Sequence, residues 1–320
     1  TFRAQIARSD TQYPDYLQTT FCDNNCEEDD DYSEAALRTQ NSDGFIGQSV
    51  YMQYRRETEN YYLNARHIET NADFRSDLGF ISNVDSKKSV LGGGYDWRSN
   101  NSWWNRIRLR GDWDSTHSDK DELIEEELES YISVRGKWQS TFELGVRKRS
   151  RVGLRLDPSV LAINGNTTLF DELSHSFFMR GTPNQIFSYR MFVRVGDSAD
   201  LANNRLGDQS YFEHELELNI GTQFRFEIEM ARSRLAVNSQ GLFDAHLYDI
   251  RGTYQFDTRQ FVRLVMAYTD IDRNQSNYTF DVDANSRSVG VQILYSYKLN
   301  PLSKFFVGYS YGALDNDDLN

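Results

Sequence analysis

The sequence predicts an all-β protein: an antiparallel, up-and-down transmembrane β-barrel, with about fifteen strands visible and about sixteen or more when complete. Three observations lead there. Apolar and polar residues alternate with period two along most of the chain. Short and long connections alternate between those segments, as they do in outer-membrane barrels. Aromatic residues reach 14% (20 Phe, 19 Tyr, 5 Trp) against 4 Pro, yet no stretch approaches the ~20 apolar residues of a spanning helix.

The segments begin near residues 1, 44, 60, 88, 103, 124, 141, 172, 186, 210, 223, 245, 260, 287 and 304. Most have the roughly 9–11 residues that cross a bilayer as a tilted strand. From Trp103 to Trp113 the odd positions read Trp, Asn, Ile, Leu, Gly, Trp, and the even ones read Trp, Arg, Arg, Arg, Asp. Leu128, Ile132, Val134 and Trp138 then alternate with Glu127, Glu129, Arg135 and Lys137. Phe142, Leu144, Val146, Val152, Leu154 and Leu156 alternate with Glu143, Arg147, Arg149, Arg151 and Arg155. Further along, Phe212, Leu216, Leu218 and Ile220 oppose Glu213, Glu215 and Glu217, while Phe224, Phe226, Ile228 and Met230 oppose Arg225, Glu227 and Glu229. Val289, Val291, Ile293, Tyr295, Tyr297 and Leu299 alternate with Ser288, Gln292, Ser296 and Lys298. One face of each strand thus suits lipid and the other water.

Short turns are expected at 57–59, 99–102, 139–140, 182–185, 221–222, 257–259 and 300–303. Long polar links are expected at 9–43, 71–87, 115–123, 158–171, 198–209, 237–244 and 271–286. Trp97, Trp103, Trp104 and Trp138 flank short turns, where an aromatic girdle would mark the periplasmic interface. Fifteen antiparallel strands leave the first and last running the same way, so closing them on each other would make a parallel pair. An open edge in lipid leaves backbone groups unpaired, each costing several kcal/mol. The expectation is therefore that a further segment or another chain completes the barrel, and that the sequence is part of a longer polypeptide. The acidic tail at 315–320 in place of an aromatic strand end points the same way.

Charge narrows the function classes. With 48 acidic and 35 basic side chains the formal net charge is −13, which disfavours nucleic acid as a partner. Two cysteines do not make a disulfide-built scaffold. The chain opens without Met, basic n-region or apolar h-region and reads as a mature or trimmed product.

Three phrases add a resemblance. Residues 60–85 read NYYLNARHIETNADFRSDLGFISNVD, residues 261–271 FVRLVMAYTDI, and residues 291–311 VQILYSYKLNPLSKFFVGYSY. Together they resemble the barrel half of a Gram-negative outer-membrane family in which a carbohydrate-binding-module-like β-sandwich, of the ninth module family, precedes the barrel. The resemblance implies the barrel fold and location in the outer membrane of a Gram-negative bacterium. It adds carbohydrate as a candidate partner and brings no activity with it. The sequence departs from the pattern in having neither the sandwich nor a closing strand.

Candidate sites follow. In an oxidising compartment Cys22 and Cys26, within FCDNNCEEDDD, are expected to form a local disulfide. Their spacing is not CxxC and no His stands nearby, which disfavours a metal or redox pair. Glu27, Glu28, Asp29, Asp30 and Asp31 offer hard oxygen ligands for Ca²⁺, although the spacing is not that of an EF-hand and a solvated acidic loop is the competing reading. On the lumenal face a basic strand (Arg106, Arg108, Arg110) is expected beside an acidic one (Glu125, Glu127, Glu129), itself beside a second basic one (Arg147, Arg149, Arg151, Arg155). Such a ladder would stiffen the wall and also polarise a pore.

No G-x-S-x-G, HExxH, Walker A or GxGxxG motif is present, and no catalytic residues are assigned. The expected function is an outer-membrane channel or uptake component with a charged lumen and acidic extracellular loops, surrounded by outer-membrane lipid. The alternative is a structural or interaction barrel that displays a binding domain or sheaths a partner protein. An outer-membrane hydrolase is a third, disfavoured class.

Overall fold

A computed structural model describes residues 1–12, 44–76, 84–100, 103–153 and 168–316. They form one fifteen-stranded sheet in which every strand pairs antiparallel with its sequence neighbours, in the order β1 to β15. The strands are β1 (Phe2–Thr11), β2 (Phe45–Glu57), β3 (Tyr61–Thr70), β4 (Ser86–Arg98), β5 (Trp104–His117), β6 (Leu123–Gly136), β7 (Thr141–Val152) and β8 (Leu169–Gly181). They continue with β9 (Phe187–Asp200), β10 (Arg205–Ile220), β11 (Phe224–Val237), β12 (Gln240–Gln255), β13 (Gln260–Arg273), β14 (Asn285–Asn300) and β15 (Ser303–Asn316). Two single 3-10 turns, Leu201–Asn203 and Gln275–Asn277, complete the regular structure of the described residues. No helix among them is long and apolar enough to cross a membrane.

Register turns the alternation into two continuous faces. One rung across six strands reads Leu216, Ile228, Ile250, Met266, Val291 and Tyr311. Another reads Ile107, Val134, Phe142, Met179 and Met191. A slip of one residue at any strand pair would turn that strand's apolar row onto the polar face.

Burial is inverted relative to a water-soluble domain. Large apolar side chains lie open: Leu91 is 60% exposed, Leu128 53% and Leu144 59%. Meanwhile Asp96, Asp114, Glu172, Ser133 and Thr141 are buried. A sheet that exposes its leucines and encloses its carboxylates has its solvents exchanged, with hydrocarbon outside and water inside. The polar face is also the concave one. On it Arg110 on β5 reaches over β6 to pair with Glu143 on β7 at 3.0 Å.

The two ends of the strands are built differently. Three turns at the short-turn end close on an Asx side chain. Asn184 Oδ1 accepts from the N–H groups of Ile186 and Phe187, both at 2.9 Å. Asp257 Oδ1 accepts from Arg259 N at 2.6 Å and Gln260 N at 3.0 Å. Asn300 Oδ1 accepts from Leu302 N at 2.9 Å. Exposed aromatics cluster at this end, among them Tyr54, Trp97, Trp103, Phe142, Tyr254 and Phe305.

At the other end the expected strict alternation of loop length does not hold. Strands β10 and β12 run to 16 residues each, beyond what a bilayer needs, and consume most of two links expected to be long, whereas 274–284 between β13 and β14 stays long. Residues 237–244 are no loop: β11 and β12 meet in a two-residue hairpin with Asn238 (φ 53°) and Ser239 (φ 63°) both left-handed. The physical reason is a small apolar core. Leu235, Val237 and Leu242 bury one another under Phe243 and Tyr278, which stabilises strand pairing beyond the membrane band.

The sheet is not closed by pairing of β1 with β15. Among the described residues β1 pairs only with β2 and β15 only with β14. Both edge strands run in the same direction.

Candidate functional site: the charged concave face

The concave face of β4 to β12 carries a series of separate ion-pair clusters. At its short-turn end Asp96 on β4 lies within ion-pair distance of three arginines and accepts hydrogen bonds from one of them. Arg108 donates to both carboxylate oxygens, at 2.6 and 2.9 Å, Arg106 Nη2 lies 2.9 Å away, and Arg98 Nη2 3.5 Å. Beside it the Arg110 guanidinium stacks 4.2 Å from the centroid of Tyr131 before reaching Glu143. Gly145 makes room for that ring: a Cβ there would sit 2.5 Å from Tyr131 carbons and from Ser176 Oγ. The same device occurs on β4, where a Cβ on Gly94 would meet the Tyr62 ring at 2.6 Å while Arg108 lies over that ring at 5.9 Å.

Register decides which of the expected ladder partners meet. Between β6 and β7, Glu125 lies opposite Arg151, Glu127 opposite Arg149 and Glu129 opposite Arg147. Between β5 and β6 the arrangement differs from the expectation. Arg106, Arg108 and Arg110 face Arg135, Ser133 and Tyr131, whereas Glu127 and Glu129 face Asp114 and Asp112. An antiparallel hairpin pairs residues equidistant from its turn. With the turn at 118–122, arginines near one end of β5 cannot meet glutamates near the other end of β6. Lys88, 3.0 Å from Asp114, and Arg147 and Arg149, each 3.8 Å from Glu127, offset the acidic cluster that results.

Towards the long-link end, Glu172 on β8 is the most enclosed charge, with 1% of its side chain exposed. It accepts from Arg149 at 2.5 Å, from Arg151 at 3.0 Å and from the Ala199 N–H at 2.5 Å. That last bond replaces a backbone rung. Regular β8–β9 pairing stops at Ser174 and Gly196, where Gly196 takes φ 135° and a Cβ would lie 2.2 Å from Leu173 O. Beyond it Glu172 takes the Ala199 N–H, and Asp197 Oδ2 takes the Leu173 N–H at 3.0 Å. Sequence reasoning passed over Glu172 and Asp96 because neither belongs to a run of like charges at alternate positions.

The opposite wall continues the pattern. Arg190 pairs with Glu213 at 2.9 Å and Glu215 at 2.7 Å, Arg225 with Glu217 at 3.3 Å and with Glu227, and Arg251 with Asp249 at 2.8 Å. Among the described residues no group of three or more His, Cys, Asp or Glu is arranged to hold a metal. Cys22, Cys26, the acidic run Glu27, Glu28, Asp29, Asp30 and Asp31, and Arg155 lie outside the described residues.

No protein-family model matches the chain, and no curated protein does. Solved structures of similar architecture are outer-membrane proteins of Vibrio cholerae. In-vitro folded OmpT is 9% identical over 98% of this chain and 97% of its own, with a TM-score of 0.37. Its trimer form is 11% identical over 83% of this chain and 86% of its own, at 0.32. A mutant of it lacking loop L8 is 11% identical over 83% and 91%, also at 0.32. Likeness at these values assigns neither family nor activity.

Proposed function

We propose that this chain is an outer-membrane barrel protein of a Gram-negative bacterium that works as a channel or uptake component rather than as an enzyme. The observation that supports it is the pairing of a lipid-suited convex face with an ion-paired concave one. Lipid contacts Leu91, Leu128 and Leu144 on the outside, while Asp96, Glu127, Glu172 and their arginines line a wet interior. Fixed charges of both signs on a rigid wall select among permeating ions by local field.

Single-channel conductance of the complete polypeptide in a planar bilayer tests this. Steady openings are expected, with cation selectivity rising when Arg106, Arg108 and Arg110 are all replaced by Glu, since Asp96 then loses two cations and gains two acidic neighbours. Silence from a well-folded barrel would overturn the channel reading.

One observation favours a second reading, a structural barrel completed or filled by a partner. Both edge strands β1 and β15 present unpaired backbone on one side among the described residues. In hydrocarbon such edges are costly, so a further strand from the same polypeptide or another chain would cover them. Co-purification of a stoichiometric partner with a non-conducting barrel would favour this reading.

A further inference from the structure

A recess of about 490 Å³ opens on the concave face at the short-turn end, between β10 and β13. Its walls include Arg225, Glu227, Arg251, Thr253, Gln255 and Arg263. Three guanidiniums and one carboxylate therefore face one small volume. Their pairing is unequal. Arg225 is engaged by Glu217 and Glu227, and Arg251 makes a two-pronged contact with Asp249 at 2.8 and 3.0 Å.

Arg263 differs from both. Its Nε donates to Thr253 Oγ1 at a long 3.4 Å, and its guanidinium lies 5.4 Å from the Phe261 ring. Across the rung, register sets it opposite Thr253 on one side and Leu294 on the other. No carboxylate among the described residues lies within ion-pair reach of it. A guanidinium steadied by a ring and a hydroxyl, with its outer edge free, is pre-shaped for two parallel N–H···O bonds to a carboxylate. The Gln255 side chain and the Thr253 hydroxyl supply further polar contacts for the rest of a small solute.

We infer that this recess binds the carboxylate of a small organic acid, with Arg263 as its anchor. The inference goes beyond the channel reading and requires only that water reach the concave face. Arg225 and Arg251, already paired with carboxylates, form the walls and leave Arg263 to take the ligand's carboxylate.

Calorimetric titration of the detergent-folded full chain with succinate tests it, because binding in detergent does not depend on conductance. Saturable binding is expected, at least about tenfold tighter than for succinamide, the neutral diamide of similar shape. Arg263→Gln should weaken succinate by tenfold or more, Arg263→Lys by less, and Arg287→Gln, at the other end of the sheet, not at all. Equal affinity for succinate and succinamide, or an unchanged affinity in Arg263→Gln, would overturn the site. A silent bilayer with intact succinate binding would overturn the channel and leave the recess standing.

Discussion

Arg110 on β5 and Glu143 on β7 form a 3.0 Å ion pair that bridges an entire intervening strand, with the guanidinium carried across on the face of Tyr131. The contact exists because Gly145 leaves a hollow under the ring.

A double-mutant cycle on Arg110→Gln and Glu143→Gln should therefore show coupling of about 0.5–1 kcal/mol, kept small because both side chains retain contact with water. Gly145→Ala should cost more, about 1–3 kcal/mol, by driving Tyr131 off its seat. Urea unfolding from detergent, followed by tryptophan fluorescence, reads both. A neutral Gly145→Ala would mean the ring has another place to lie.

Glu172 should be the least replaceable charge on the concave face. Glu172→Ala removes the acceptor for Arg149, Arg151 and the Ala199 N–H together. The expected loss is about 3–5 kcal/mol, as when one member of a buried ion pair is deleted. Glu172→Gln keeps one carbonyl acceptor and should lose less. Equal unfolding midpoints for the parent and the Ala variant would refute the hub role.

Asp257 should give its turn a pH dependence. The Arg259 N–H first, then Gln260, holds its carboxyl below the ordinary 3.8. A group with a depressed folded-state pKa contributes stability that is present above its unfolded value and lost as pH falls through the folded one. Asp257→Asn should be less stable than the parent at neutral pH and converge with it only as pH falls below 3.8 through the carboxyl's depressed folded-state pKa. Unfolding midpoints at pH 7 and pH 3 would separate the two, and parallel pH curves would be the contrary result.

The turn joining β6 and β7 carries Trp138 at φ 59° and Gln139 at φ 53°, a left-handed pair built without glycine. Gln139→Gly should stabilise the hairpin by about 1 kcal/mol, the approximate cost of holding a side chain in that region. Trp138 is 66% exposed, so the protein keeps a bulky ring in a strained position at the aromatic end of its strands. Trp138→Asn should relieve strain in detergent yet weaken insertion into liposomes. Equal insertion would remove its role as an interface anchor.

Much of this architecture is legible in the residues themselves. All fifteen strands overlap the segments that period-two alternation marks, with β10 and β12 starting five residues earlier, because a side chain on a pleated strand has only two directions to point and lipid and water accept different ones. That parity alone places Leu128 on the convex face and Glu127 on the concave one. Loop length was a weaker guide: the 237–244 link is paired strand because Leu235, Val237 and Leu242 find one another and Tyr278, a contact between segments far apart in sequence. Alternation states which face a charge is on and not whom it meets. Register, curvature and the hollows left by Gly94 and Gly145 gave Arg108 to Asp96, Arg110 to Glu143, and Arg149 and Arg151 to Glu172. Those partners lie on other strands at distances fixed by pairing and curl, and only the assembled sheet brings their charges within reach.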